Sequence, residues 1–376
     1  MAAPRNVGRA LLESSFVVRR ISPILLLIAA AAGGLVAYGQ KKTKPYADLP
    51  ILQPKEKKDE NRNEVLPPVR EPPAAVSAAT ARLTFEALPL TGKGLLSAQL
   101  RESMRTLLRN SSGSTVLKIR AFVAGSGDLR RVQEIAAEVF GERKQPLPAL
   151  SVVQVGALPL EGAQVSMEAT LEGRRDVNPN GLAFVSAQAG SSIADALQHV
   201  RSVLQRAGAD EPLRATCFVS VLQGPESASF DGASVVVVQM AREAVRPAAA
   251  CEAVARLRTA PEQEVRILRN ERGEPAAALV NAPRLALSGI QLGFGKQDSD
   301  VALVLDRVDK GLGGAGSGLK QAVMANAYVI TRAVAPPLTQ GLNAQTGQPR
   351  PLTILPFEGL SSIDAVMGLD VIAVAQ

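Results

Sequence analysis

The chain has 376 residues, 46% of them hydrophobic and only 3% aromatic with no Trp, enough for two or three domains that each bury a core. Its formal charge of +7 is concentrated at the front: residues 1–78 hold 12 Lys/Arg against 7 Asp/Glu, while residues 79–376 hold 30 against 28. A nearly neutral globular part with so few aromatics lacks the basic face and stacking surface of a nucleic-acid reader, and a single histidine (His199) with two cysteines excludes a zinc site, so no nucleic acid, metal or other cofactor is expected.

Residues 1–20 form a basic segment carrying Arg5, Arg9, Arg19 and Arg20. Residues 21–39, ISPILLLIAAAAGGLVAYG, are an uncharged run of 19, which makes about 28 Å of helix at ~1.5 Å per residue and predicts a transmembrane helix. Ser22-Pro23 suits its start, as an N-cap followed by proline at the first helical position. The flanking charges predict a single-pass membrane protein with a cytoplasmic N-terminus and exported C-terminal domains. A cleaved signal peptide and a secreted product is the alternative, because Ala37-Tyr38-Gly39 offers small residues before Gln40. Residues 40–78 mix charge with Pro45, Pro50, Pro54, Pro67, Pro68, Pro72 and Pro73, which predicts a disordered linker.

From residue 79 onward one pattern occurs three times: an amphipathic helix, a short turn, then an apolar strand holding an aromatic residue. Leu100, Met104 and Leu107, then Ile193, Leu197, Val200 and Leu204, then Val301, Leu305, Val308 and Leu312 mark the helices. Phe122, Phe218 and Tyr328 mark the strands and lie 96 and 110 residues apart, a period of tandem domains and not of a solenoid. The boundaries fall at 79–174, 175–268 and 269–376. The second domain is trimmed, since Phe218 to Glu252 takes 34 residues where the other copies take 46 to Glu168 and 42 to Asp370, too few for a second helix.

The first copy reads Pro148-Ala149-Leu150, then Ala157-Leu158-Pro159, then Val165-Ser166-Met167-Glu168-Ala169. This closely resembles the signature of the RidA/YjgF family, the reactive intermediate deaminases, and weaker versions recur around Cys251-Glu252-Ala253 and Leu369-Asp370-Val371. The resemblance implies an α+β fold of three tandem RidA-like (chorismate-mutase-like) domains. Each would be a mixed β-sheet backed by one or two helices. The family assembles as homotrimers with ligand clefts between subunits, so three copies in one chain imply an intramolecular pseudo-trimer that needs no further trimerisation.

The resemblance also implies a site. Family members hold the substrate carboxylate with the Arg of Pro-Ala-Arg and handle water with an acid of the closing strand, a division of labour that suits hydrolysis of imines. Here the Arg positions hold Leu150, Val235 and Leu352, while the acid persists as Glu168, Glu252 and Asp370, each expected at the polar tip of a cleft. Ser186 and Ser288 match the serine of the family's Ser-Gly-Gln motif, and Arg350, Arg242 and Arg120 are cations in reach of the clefts. The expected function is therefore non-catalytic binding of a small metabolite or protein partner at the inter-domain clefts. The alternatives are a divergent imine/enamine deaminase and an envelope-associated scaffold. Cys217 and Cys251 read either as two buried hydrophobes or, if the domains are exported, as a disulfide.

Overall fold

Apolar residues at three- and four-residue spacing, and runs of β-formers, sort this chain into a mixed α+β fold with three mixed sheets. The computed structural model describes residues 70–125, 127–223 and 229–376. The basic segment, the 21–39 span and the linker up to 69 lie outside the described residues. No helix among the described ones is long and apolar enough to cross a membrane.

The chain runs through β1 (Ala75–Ala79), β2 (Leu83–Ala87), α1 (Leu96–Asn110), β3 (Thr115–Ala124), α2 (Arg130–Glu142), β4 (Ala149–Val155) and β5 (Val165–Glu172). It continues through β6 (Leu182–Gly190), α3 (Ile193–Ala207), β7 (Ala209–Val219), β8 (Ser234–Gln239) and β9 (Ala249–Leu257). A hairpin of β10 (Val265–Arg269) and β11 (Pro275–Val280) precedes β12 (Arg284–Ser288), β13 (Gln291–Gly293), α4 (Asp298–Gly313) and β14 (Ala322–Val329). The last elements are α5 (Ala335–Thr346), β15 (Leu352–Pro356), β16 (Gly359–Leu360) and β17 (Met367–Ala375).

All three sheets share a four-strand order: β2-β5-β3-β4, β6-β9-β7-β8 and β12-β17-β14-β15. In each, the last two strands pair in parallel and the others antiparallel. One face of each sheet is covered by its own helices, which bury the apolar stripes set by their spacing: α1 and α2 on the first, α3 on the second, α4 and α5 on the third. No helix lies among the described residues between β7 and β8; buried Phe230 packs into the helix-side core of that sheet instead.

The opposite faces meet one another. Phe122, Phe218 and Tyr328 enter one apolar cluster, in which Phe122 and Phe218 stand 5.9 Å apart and Phe357 bridges Phe218 (5.7 Å) to Tyr328 (5.4 Å). A second cluster draws Leu83 and Leu117, Phe184 and Val254, and Leu285 and Met324 from the three sheets.

Backbone N–H groups donate across the seams between copies. Gly156 N donates to Gln239 O at 3.0 Å, Ala187 N to Thr353 Oγ1 at 2.9 Å, and Ile290 N to Leu150 O at 2.9 Å. Glycine is required where chains approach this closely: a Cβ on Gly289 would stand 2.7 Å from Leu150 O, and one on Gly156 2.8 Å from the Ala241 carbonyl carbon.

The segments leading into the second and third copies pair with the copy before, and the segment leading into the first pairs with the third. β11 lies against β6, Val177 and Asn178 donate to Ala81 O at 2.7 and 2.9 Å, and β1 lies against β12 from Ala75↔Ser288 to Ala79↔Arg284. A strand thus lies inside the stretch read as a disordered linker to residue 78. Ala-Val-Ser-Ala-Ala has little strand propensity of its own, and the edge of β12, with burial of Ala78, makes it a strand.

Candidate functional site

Alternation along a strand sends every second side chain to the same face. On the face turned from the helices, β3 presents Lys118, Arg120 and Phe122, β7 presents Arg214, Thr216 and Phe218, and β14 presents Asn326 and Tyr328. Register sets Arg120 opposite Glu168, Thr216 opposite Glu252, and Asn326 opposite Asp370. The three acids therefore meet in the interior shared by the sheets, where they are 1%, 5% and 1% exposed.

Arg120 is the hub. Its Nε donates to Glu168 Oε1 at 2.5 Å, its Nη2 to Glu252 and to Thr216 Oγ1 at 3.1 Å, and its Nη1 to Tyr328 OH at 3.4 Å. Thr216 in turn donates to Glu168 Oε2 at 2.7 Å, and Thr353 to Glu252 Oε2 at 3.0 Å. Asp370 accepts from Ser151 at 2.6 Å, Tyr328 at 3.0 Å and Asn326 at 3.3 Å, and Lys118 Nζ lies 2.9 Å away. Arg214 stands 3.4 Å from Glu168.

The charges hold one another. Burial pushes the Glu168 carboxyl up, but Arg120 and Arg214 outweigh it and keep the group below the usual carboxylate range; burial likewise opposes Lys118 and Arg120 at Asp370, which also ends low. Burial works against the Arg120 cation, yet Glu168 and Glu252 hold it well above the ordinary arginine value. Burial dominates at Lys118 and Arg214 and draws both down, and with Asp370 it drives the Tyr328 phenol well up.

This corrects the expectation for the acids. They do not sit at the tips of open clefts, because the basic residues of the neighbouring strands draw them into a closed ionic cluster. A carboxylate kept ionised, saturated with donors and shut off from solvent is poorly placed to exchange protons with a water at a substrate. Lys118 and Arg214 were missed by the motif alignment; their signal was the alternation Lys118-x-Arg120-x-Phe122 and Arg214-x-Thr216-x-Phe218.

The other sequence candidates divide. Leu150 is buried in the helix-side core, and Val235 and Leu352 pack against theirs. Ser288 is 1% exposed and accepts from Val371 N at 2.8 Å. Beside it, Gly289 and Ile290 lie on the Leu150 carbonyl and close the seam between the third and first copies there. Arg242 is exposed and contributes its backbone N–H to Glu358.

Ser186 and Arg350, by contrast, line one cleft of about 1310 Å³ between the second and third copies. Its floor is the end of β6 and the Leu352/Ile354 face of β15, and its walls are α3, the β10–β11 hairpin and α5. Ser186 Oγ donates to Ala276 O at 3.1 Å. His199 lines the α3 wall with Nδ1 2.8 Å from Ala189 O. Arg350 Nε is buried without a hydrogen-bond partner, and burial lowers the guanidinium from its ordinary value. The hairpin wall was not read from sequence; Asn270-Glu271-Arg272-Gly273 between two apolar runs was its turn signal.

Cys217 and Cys251 face each other on β7 and β9 and are joined as a disulfide. Among the described residues, no three His, Cys, Asp or Glu side chains converge as metal ligands.

No protein-family model matches this chain, and no curated protein does. Solved structures similar to it are YjgF/Rid family proteins. A Rid-family protein from Yersinia pestis is 15% identical with a TM-score of 0.27, covering 30% of this chain and 99% of that one. A member of the YjgF/YER057c/UK114 family from Mycobacterium tuberculosis is 18% identical with a TM-score of 0.23, covering 30% and 99%. A YjgF-family protein from Neisseria meningitidis is 16% identical with a TM-score of 0.23, covering 31% and 98%.

Proposed function

We propose that this chain is a membrane-tethered pseudo-trimer of three RidA-like domains, 79–174, 175–268 and 269–376, which binds a small metabolite in the cleft between the second and third domains without turning it over. One observation carries the reading: the acids aligned with the family's catalytic carboxylate are consumed by the buried cluster around Arg120. Aliphatic residues at the three Arg positions support it, since a lost carboxylate anchor removes orientation as well as charge. The disulfide supports export, because such bonds persist in oxidising compartments.

The full-length protein is expected to leave the hydrolysis rate of 2-aminoacrylate at that of buffer, while dialysis against a metabolite extract retains compounds that a Leu352→Trp variant does not. Turnover abolished by Glu168→Gln or Asp370→Asn overturns the non-catalytic reading; no cleft-dependent retention overturns the binding one. The deaminase reading has Arg350 in its favour, a cation two residues from the family position and in the same cleft. A reporter fused after Gln376 that works only in the cytoplasm would overturn export.

A further inference from the structure

Four arginines line the cleft between the second and third copies, Arg206, Arg269, Arg272 and Arg350, against two glutamates, Glu271 and Glu274. None of the four forms an ion pair among the described residues. Arg206 Nη1 and Arg269 Nη1 donate to the carbonyls of Arg269 (3.0 Å) and Gly273 (2.7 Å), which steady the side chains without neutralising them. Glu274 takes its bond from the uncharged Asn270 amide at 2.8 Å. Elsewhere some arginines meet carboxylates, as Arg101 does Glu138 and Arg201 does Asp231, and others, such as Arg284 and Arg307, bond to uncharged oxygens as these do. The cleft is thus left with two positive charges in excess; Arg206, Arg269 and Arg272 are exposed and Arg350 is half-buried.

Arg350 adds a second observation. Its Nε is buried without an acceptor, an unsatisfied donor on a side chain that lines the cleft. Next to it, Leu352 and Ile354 form an apolar strip on β15, with Val203 of α3 facing the same space. Among the described residues no Phe, Tyr or Trp lines the cleft.

We infer that the ligand of this cleft is a small organic dianion, a phosphate monoester or a dicarboxylate, whose charges are met by Arg350 on the floor and Arg272 at the hairpin tip and whose short aliphatic body lies on Leu352 and Ile354. This rests on the binding reading above and narrows it. A guanidinium offers its donors as a fork that fits two oxygens of either head group, and one negative charge would leave half of the excess unmet.

Calorimetric titration of the full-length protein with butyl phosphate, glutarate and butyrate tests it, the first two arms separating the two head groups. At least one dianion is expected to bind ten-fold or more tightly than butyrate, with affinity falling as salt is added. Arg350→Gln and the exposed Arg272→Gln are each expected to weaken that dianion at least ten-fold at an unchanged melting temperature. Equal affinity for butyrate, no binding of either dianion, or undiminished binding in both variants overturns the dianion. The underlying reading fails separately: neutral metabolites retained by the cleft and lost in Leu352→Trp would sustain binding while overturning this ligand class.

Discussion

At the residue scale, Arg120 does what no neighbour can replace, since it answers two buried carboxylates from different copies. Removing one partner of a buried ion pair typically costs about 3–5 kcal/mol, because the other charge is left uncompensated. Arg120→Met is therefore expected to lower the unfolding free energy by about that amount in urea titrations. Adding Glu168→Gln and Glu252→Gln to it should return much of the loss. A single variant as stable as the wild type would mean the cluster contributes nothing. The positions of Glu168, Glu252 and Asp370 were legible from the recurring motif, but their surroundings were not. Whether a carboxylate faces a cleft or an interior depends on which side chains the adjacent strand places opposite it, and that is a matter of register.

At the element scale, the first helix and central strand of each copy were legible because their apolar spacing is strong in each copy taken alone, while α5, which opens Ala335-Pro336-Pro337, was not read. β1 was not, because it is a strand by virtue of the edge it meets, and the β10–β11 hairpin went unread because its turn signal lies outside the repeating pattern. β1 covers the outer side of β12 through five paired residues. An uncovered edge offers free N–H and C=O groups to any other strand. Deleting residues 70–79 is expected to lower the melting temperature and to produce concentration-dependent dimers or larger species in light scattering. A deletion that remains monomeric at all concentrations would show that β12 needs no cover.

At the scale of the whole molecule, the ionic cluster ties the copies into one cooperative body, since Arg120 and Glu168 come from the first, Glu252 from the second, and Tyr328 and Asp370 from the third. Glu168 and Asp370 both have depressed folded-state pKa values, so their stabilisation is fully present above the unfolded carboxylate pKa of about 4 and is lost as pH falls through the lower folded values. Lys118 acts oppositely: burial lowers its pKa, so its cost is present at neutral pH and is relieved only as pH rises toward about 10. Acid should unfold the described part in one transition, with calorimetric and van't Hoff enthalpies agreeing, and separate steps for the copies would overturn this coupling.

β1 also has a history in time. Ala75 pairs with Ser288, so β1 is synthesised before its partner, which emerges roughly 10–40 s later at ribosomal speeds. Through that interval β1 waits without β12, and the edge of the third sheet is covered only by reaching back from Ser288 to Ala75. Any second copy growing nearby carries the same waiting strand. How crowded the nascent chains are thus decides whether each molecule closes on itself or borrows its opening strand from a neighbour.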